Sequence, residues 1–173
     1  MAHYYISIHK LQQIVIEVSS LHSNITLIII KDIIFKVTAK SENKTKTIVQ
    51  AKGFSMTIDE PKAIGGTNEG ASPLEYLLGA LSGCISVLCH MVASELGFQL
   101  NGVELELEGN FNPAYLLGKS DVERSGFKEI QVNIHPDTDA DEATLEKWME
   151  IVKLRCPVSD NIANSTPVKL NLK

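Results

Sequence analysis

The sequence predicts an α+β fold, in which one long and almost uncharged helix near the middle of the chain lies among short strands. A helix-start motif opens a run of small and apolar residues over 72–97. Apolar and polar residues alternate with period two before this run, at 54–58, and after it, at 103–107. A second helical pattern occurs at 141–154. At 173 residues, the chain has the length of one domain.

The first third of the chain is predicted to hold an N-terminal extension and three strands. Residues 1–32 form the extension, and their apolar pattern fits either a strand pair or a short helix followed by a strand. Residues 33–38 and 46–50 flank a polar turn and predict a hairpin, and residues 54–58 predict a third strand. The glycine-rich loop at 65–70 lacks the spacing of phosphate-binding motifs, so we expect a tight connection there.

The central helix has the strongest local signal. Ser72 and Glu75 form a capping box, with Pro73 at the first helical position. We expect the helix to end near Leu96, with Gly97 as its C-terminal stop, and so to be roughly 35 Å long. Small residues on this helix predict that another element packs close to its backbone. These residues are Gly79, Ala80, Ser82, Gly83, Cys84 and Ser86.

The second half of the chain predicts three further strands and one helix. Residues 103–107 alternate apolar side chains with glutamates, which indicates a strand with one wet face, and residues 127–134 predict its neighbour. The helix at 141–154 must break before Pro157. Alternating apolar residues at 168–172 predict a last strand.

Composition and charge exclude several classes of protein. A net charge of −5 and a pI near 5.5 argue against a nucleic-acid partner, which requires a basic face. The longest uninterrupted apolar run, 27–30, is too short to span a membrane, and the first twenty residues lack a signal-peptide pattern. Three cysteines, an odd number, argue against a secreted disulfide framework. We therefore predict a cytoplasmic protein without a membrane partner.

Residues 33–173 resemble the OsmC/Ohr family. The motifs that carry the resemblance are Asp59-Glu60-Pro61, Gly65-Gly66, the run from Ser72 to Cys84 (SPLEYLLGALSGC) and Arg155-Cys156-Pro157-Val158-Ser159. The resemblance implies an OsmC-like domain in which a long central helix is wrapped by antiparallel sheets. It also implies an intertwined homodimer.

The resemblance further implies a thiol peroxidase that acts on organic hydroperoxides in a stress response. By the family pattern, Cys84 is the nucleophile, becoming a sulfenic acid, and Cys156 is the resolving cysteine, which forms a disulfide with it. An external dithiol then acts as the reductant.

Two other uses of the cysteines are less consistent with the sequence. Cys89 points about 140° away from Cys84 on a helix, so we expect a core residue. A zinc site made by Cys84, Cys156 and His90 has no CxxC or HxxxH pair to support it. We predict neither a metal nor a cofactor.

The sequence departs from the family's peroxidases in two places. The family supplies an Arg from an N-terminal segment and a Glu directly after the helix proline, whereas this chain has no Arg before Arg124 and has Leu74 at the Glu position. The next residue, Glu75, is already used by the capping box. Lys62, Arg124 or Arg155 could replace the missing cation. Enzyme activity therefore stays open, and the alternative is a non-peroxidatic dithiol protein that binds a ligand or senses redox state.

Overall fold

The computed structural model describes residues 32–172, and the predicted α+β class is confirmed. The elements discussed below all belong to one compact unit that begins at Val37. The predicted extension at 1–32 lies outside the described residues except for its last position, so the boundary at residue 33 stays a prediction. The strands are β1 (Thr38–Ser41), β2 (Thr47–Ala51), β3 (Phe54–Ile58), β4 (Gly102–Asn110) and β5 (Glu129–Asp137). The α-helices are α1 (Pro73–Leu96), α2 (Glu142–Arg155) and α3 (Pro157–Ala163).

The first sheet is an antiparallel meander in the order β1-β2-β3. Asn43 holds the first turn, because its side-chain oxygen accepts hydrogen bonds from the backbone N–H groups of Thr45 (2.9 Å) and Lys46 (2.6 Å). The predicted third strand is confirmed at Phe54–Ile58. The first predicted strand, 33–38, is wrong in position, since β1 begins at Thr38 and residues 33–37 belong to no strand. The polar stretch after residue 38 continues the strand because backbone pairing with β2 does not require apolar side chains.

A buried aspartate fixes the loop between β3 and α1. Asp59 is fully buried, and its Oδ2 accepts hydrogen bonds from the Thr67 hydroxyl (2.5 Å), the Thr67 N–H (3.0 Å) and the Glu69 N–H (3.1 Å). The loop folds so closely that a Cβ on Gly66 would lie 1.7 Å from the backbone oxygen of Glu60. The glycine-rich segment is therefore a tight connection that delivers the chain to the start of α1.

α1 begins and ends where the sequence predicts. Glu75 N–H donates to the Ser72 hydroxyl (3.4 Å), and Ser72 N–H donates to the Glu75 carboxylate (2.7 Å), which completes the capping box. Gly97 ends the helix in the left-handed conformation, with φ of 77°. The Tyr76 hydroxyl donates to the backbone oxygen of Thr57 (2.8 Å) and so attaches the first turn of α1 to β3.

The core is built where α1 meets α2 and the β4-β5 hairpin. The hairpin is antiparallel, and its strands pair from Gly102–Asp137 to Asn110–Glu129. Trp148 of α2 is 1% exposed, and its indole N–H donates to the backbone oxygen of Cys89 (2.9 Å). The buried residues of this core are Leu81, Ile85, Leu88, Cys89, Val92, Ala93, Trp148, Val152 and Cys156.

The C-terminal region differs from the prediction in two ways. The chain does break before Pro157, but it starts a new helix there, α3, which the sequence analysis did not predict. The predicted last strand is wrong for this chain, because residues 165–172 form no strand. Val168, Leu170 and Leu172 are between 81% and 105% exposed. No strand within the described part of the chain pairs with this segment, so its alternating pattern has no sheet to pack on.

One face of α1 is exposed. Val87 and Met91 are 60% and 47% exposed, and they continue a stripe that begins at Ala80 and Gly83. By length and composition α1 could cross a membrane, although the longest uninterrupted apolar run in the sequence is too short to do so. The same test is passed by the core helix of a soluble protein, and the opposite face of α1 forms this core. A single apolar helix is thus weak evidence for a membrane span.

We predict that Asp59→Asn lowers stability most at neutral pH. The Thr67 hydroxyl and then the Glu69 N–H hold the pKa of Asp59 well below its usual range. A depressed folded-state pKa contributes stability that is complete above the unfolded pKa of about 4 and is lost as pH falls below it. The difference in melting temperature between wild type and Asp59→Asn should therefore shrink between pH 7 and pH 3. A constant difference would show that the charge of Asp59 is not what stabilises the loop.

Candidate dithiol site

Cys84 and Cys156 come from distant parts of the sequence and meet at one site. Their Sγ atoms lie 3.2 Å apart, and both cysteines are reduced. A disulfide requires an S–S distance of about 2.05 Å, so closure needs a movement of roughly 1 Å. The structure thus brings together the two cysteines that the sequence analysis selected, while their chemical roles stay predictions.

Cys156 is held at the junction of α2 and α3. It is 2% exposed, and it is the N-cap residue of α3, with Pro157 at the first helical position. Its Sγ accepts a hydrogen bond from the Ser159 N–H at 3.4 Å. Burial raises the pKa of Cys156, and the Ser159 N–H offsets part of this effect because it favours the thiolate. Burial therefore favours the protonated form of the Cys156 thiol.

Cys84 is held by the hydrogen-bonded backbone of α1, and its side chain lies at the edge of the core. It is partly buried and packs against the buried cluster, whereas Cys156 belongs to that cluster. The thiol of Cys156 donates to Cys84 Sγ, so Cys84 is the acceptor in the pair. Cys84 is also the more accessible of the two sulfurs.

Cys89 is a core residue, as the sequence predicts. It is fully buried, and burial raises its pKa to about 11. Its backbone oxygen accepts the indole N–H of Trp148. A thiol in this environment does not ionise near neutral pH and does not meet oxidants from solution.

The charged residues named from the sequence occupy four separate places. Glu75 is engaged in the capping box, and the Ser72 N–H lowers its pKa. Arg155 forms a two-point ion pair with Glu95 of α1, at 2.5 and 3.1 Å. Lys62 lies exposed on a single 3₁₀ turn, and Arg124 lies exposed in the connection between β4 and β5. Among residues 32–172, none of these cations makes a hydrogen bond or ion pair with Cys84.

An open and mainly apolar groove of about 520 Å³ lies against α1. Its walls come from α1, the end of the connection between β4 and β5, β5 and α3. Neither Cys84 nor Cys156 lines it, but Ile85 follows Cys84 directly in the chain, and Ser159 is the residue whose N–H donates to Cys156. The charged residues of its lining are Arg124, Lys128 and Glu129. The apolar lining comprises Leu74, Leu77, Leu81, Ile85, Phe127, Ile130, Val132, Ile162 and Ala163.

Metal binding finds no support in the described residues. Within 32–172, no three His, Cys, Asp or Glu side chains lie close enough together to hold an ion.

The fold and the site identify the family. Residues 66–171 match the family described as OsmC-like protein, and this match covers more than half of the chain. The chain belongs to the OsmC-like family. No curated protein matches the sequence closely enough to count as a relative.

Solved structures share this fold at low sequence identity. An OsmC-like protein from Mycoplasma pneumoniae is 20% identical, with a TM-score of 0.67 over 77% of this chain and 89% of that one. An organic hydroperoxide resistance protein OsmC from Legionella pneumophila is 17% identical, with a TM-score of 0.58 over 76% and 91%. An organic hydroperoxide resistance protein from Elizabethkingia anophelis, with bound thiocyanate, is 16% identical, with a TM-score of 0.54 over 75% and 89%. The predicted OsmC-like fold is confirmed.

Two features of the site were missed in the sequence. The first is α3, whose start repeats the pattern that opens α1: a capping residue followed by proline, here Cys156-Pro157, as in Ser72-Pro73. That repeat is a local signal that could have predicted the helix. The second is Glu95, which has no local signal because its partner lies sixty residues away.

We predict that mild oxidation produces a Cys84–Cys156 disulfide within one chain. The sulfurs need to move only about 1 Å, and Cys89 is shielded by the core. Peptide mapping without reduction should find the Cys84–Cys156 product. Cys156→Ser should remove it without giving a Cys84–Cys89 product. A disulfide between two chains as the main species would contradict this geometry.

Proposed function

We propose that this chain is a cysteine-based thiol peroxidase that reduces organic hydroperoxides. The observation that carries the proposal is the 3.2 Å separation between an accessible and a buried sulfur. That arrangement suits a nucleophile and a resolving thiol, because the disulfide can form with little movement. The OsmC-like family and the names of the Legionella and Elizabethkingia proteins support the choice of substrate.

The proposed catalytic cycle has three steps. The Cys84 thiolate attacks the outer oxygen of the hydroperoxide, the O–O bond breaks, and the alkoxide takes a proton to leave as an alcohol. Cys84 is then a sulfenic acid, and Cys156 displaces its hydroxyl as water to form the disulfide. An external dithiol reduces the disulfide by exchange and is itself oxidised to a disulfide.

The environments of the two sulfurs support this assignment of roles. Cys84 is only partly buried, so an oxidant can reach it. Cys156 is buried, which raises its pKa and favours the thiol form, and this thiol donates to Cys84. The apolar walls of the groove suit the organic part of a hydroperoxide better than hydrogen peroxide, because they bury hydrocarbon surface. A reducing cytoplasm would supply the dithiol.

We also propose that the functional unit is a homodimer. The stripe of Ala80, Gly83, Val87 and Met91 leaves apolar surface of α1 exposed in the single chain. A Cβ at Gly79 or Gly83 would meet no other atom within 4 Å, so there is room for a second helix to approach. Two copies that pack along this stripe would bury it.

One observation favours a second candidate, a dithiol protein that binds a ligand or senses redox state without turnover. Thiolate nucleophiles are usually activated by a neighbouring cation. In the described part of the chain, Lys62, Arg124 and Arg155 make no contact with Cys84. Such a protein would form the Cys84–Cys156 disulfide when it is oxidised, but it would consume hydroperoxide only slowly.

We expect organic hydroperoxide turnover that depends on both cysteines. With a dithiol reductant in excess, Cys84→Ser should abolish the activity, because the attacking sulfur is lost. In a separate assay without added dithiol, Cys156→Ser should consume one equivalent of hydroperoxide and stop at the sulfenic acid, whereas the wild type should form the disulfide. Cys89→Ala is the matched control and should retain turnover. Disulfide formation without multiple turnovers in the wild type would favour the second candidate.

We expect the wild type to sediment as a dimer at micromolar concentration and Val87→Glu to weaken the dimer. A carboxylate at this position would be desolvated in an apolar interface. Val122→Glu is the control, since Val122 is 90% exposed and belongs to the connection between β4 and β5 rather than to the stripe on α1. A folded wild-type monomer at these concentrations would refute the proposed dimer.

A further inference from the structure

The ion pair between Glu95 and Arg155 connects the two elements that carry the reactive sulfurs. Glu95 lies in the last turn of α1, the helix of Cys84. Arg155 is the last residue of α2 and directly precedes Cys156. Both guanidinium nitrogens contact the carboxylate, at 2.5 and 3.1 Å, so the pair fixes an orientation as well as a distance.

The position of Glu95 is unfavourable for the helix unless it has a partner. The C-terminal end of a helix carries partial negative charge, so a carboxylate in the last turn is repelled. The last turn of α1 has no basic residue of its own. Arg155 supplies the compensating charge from α2, and each partner shifts the pKa of the other in the direction that keeps both charged.

The junction at Cys156 needs such a connection because it is a break between two helices. Cys156 has an extended backbone, with φ of −76° and ψ of 107°, so the helical backbone conformation is interrupted between α2 and α3. Val152 holds α2 in the core one turn earlier, and Val158 packs against the core from α3. Arg155 is the charged contact that ties the junction itself to α1.

We propose that Glu95 and Arg155 are a positioning pair that sets the distance between Cys156 and Cys84 and so controls how readily the disulfide closes. Neither residue touches the reacting atoms, and the pair acts through the backbone of the α2-α3 junction. The side chain of Arg155 is 42% exposed and that of Glu95 is 50% exposed, so the pair contributes little to global stability. The effect of the pair on closing the disulfide, a movement of about 1 Å, is therefore separable from its effect on folding.

Thiol–disulfide exchange with glutathione tests the proposed role of the Glu95–Arg155 pair without any peroxide. The equilibrium gives the effective concentration of Cys156 at Cys84. Arg155→Gln and Glu95→Gln should each lower it by about three- to five-fold. Lys153→Gln, which removes the same charge from an exposed site in the last turn of α2, should leave it unchanged.

Two further measurements distinguish positioning from general destabilisation. In the wild type, 1 M salt should lower the effective concentration because it screens an exposed pair, whereas Arg155→Gln should show no salt response. Exchanging the charges, with Glu95→Arg and Arg155→Glu together, should restore part of the loss. Melting temperatures should differ little among the variants.

The outcomes separate this inference, which rests on the proposed dithiol chemistry, from the proposed peroxidase activity. The inference is overturned if Arg155→Gln and Glu95→Gln match Lys153→Gln, or if the wild type forms no Cys84–Cys156 disulfide with glutathione. If the variants show the expected losses but the wild type does not turn over hydroperoxides, the positioning pair stands and the peroxidase proposal fails.

Discussion

Trp148 of α2 packs against α1, and the location of the dithiol depends on this contact. The indole ring meets Phe98 edge to face, with centroids 6.1 Å apart, and its N–H is satisfied by the backbone oxygen of Cys89. A buried indole needs such an acceptor, and the observed placement of α2 on α1 satisfies both its ring and its N–H. That placement delivers the C-terminal end of α2 to Cys84. The site is thus a consequence of how two helices pack rather than of a local motif.

Local signals in the sequence predicted the elements that depend on local chemistry. The capping box and Gly97 gave both ends of α1, and alternation of apolar and polar residues gave β3 and β4. Elements that depend on distant partners were less predictable. The apolar pattern at 168–172 is present without a strand beside it, and the partners Glu95 and Arg155 lie sixty residues apart. Selection of Cys84 and Cys156 came from a family resemblance, whereas their distance, burial and hydrogen bonds required the structure.

The site combines a complete dithiol with an unusual distribution of charge. The family's helix glutamate is replaced by Leu74, and Glu75 is consumed by the helix start. The chain's two arginines lie elsewhere, one in the lining of the apolar groove and one in the pair with Glu95. Among the described residues, no cation makes a hydrogen bond or ion pair with Cys84. The hydrogen bonds at the two sulfurs come from the Cys156 thiol and the Ser159 N–H.

The tryptophan in the core also makes the protein convenient to study. The chain contains one tryptophan, so all indole fluorescence originates from the contact between α1 and α2. Because Trp148 is 1% exposed, we expect the emission of a buried ring, and unfolding would move this ring into water. Trp148 lies on α2, the helix that ends directly before Cys156. The fluorescence of this single ring therefore reports on the part of the core that holds the two sulfurs together. No label or engineered probe is needed to observe that region.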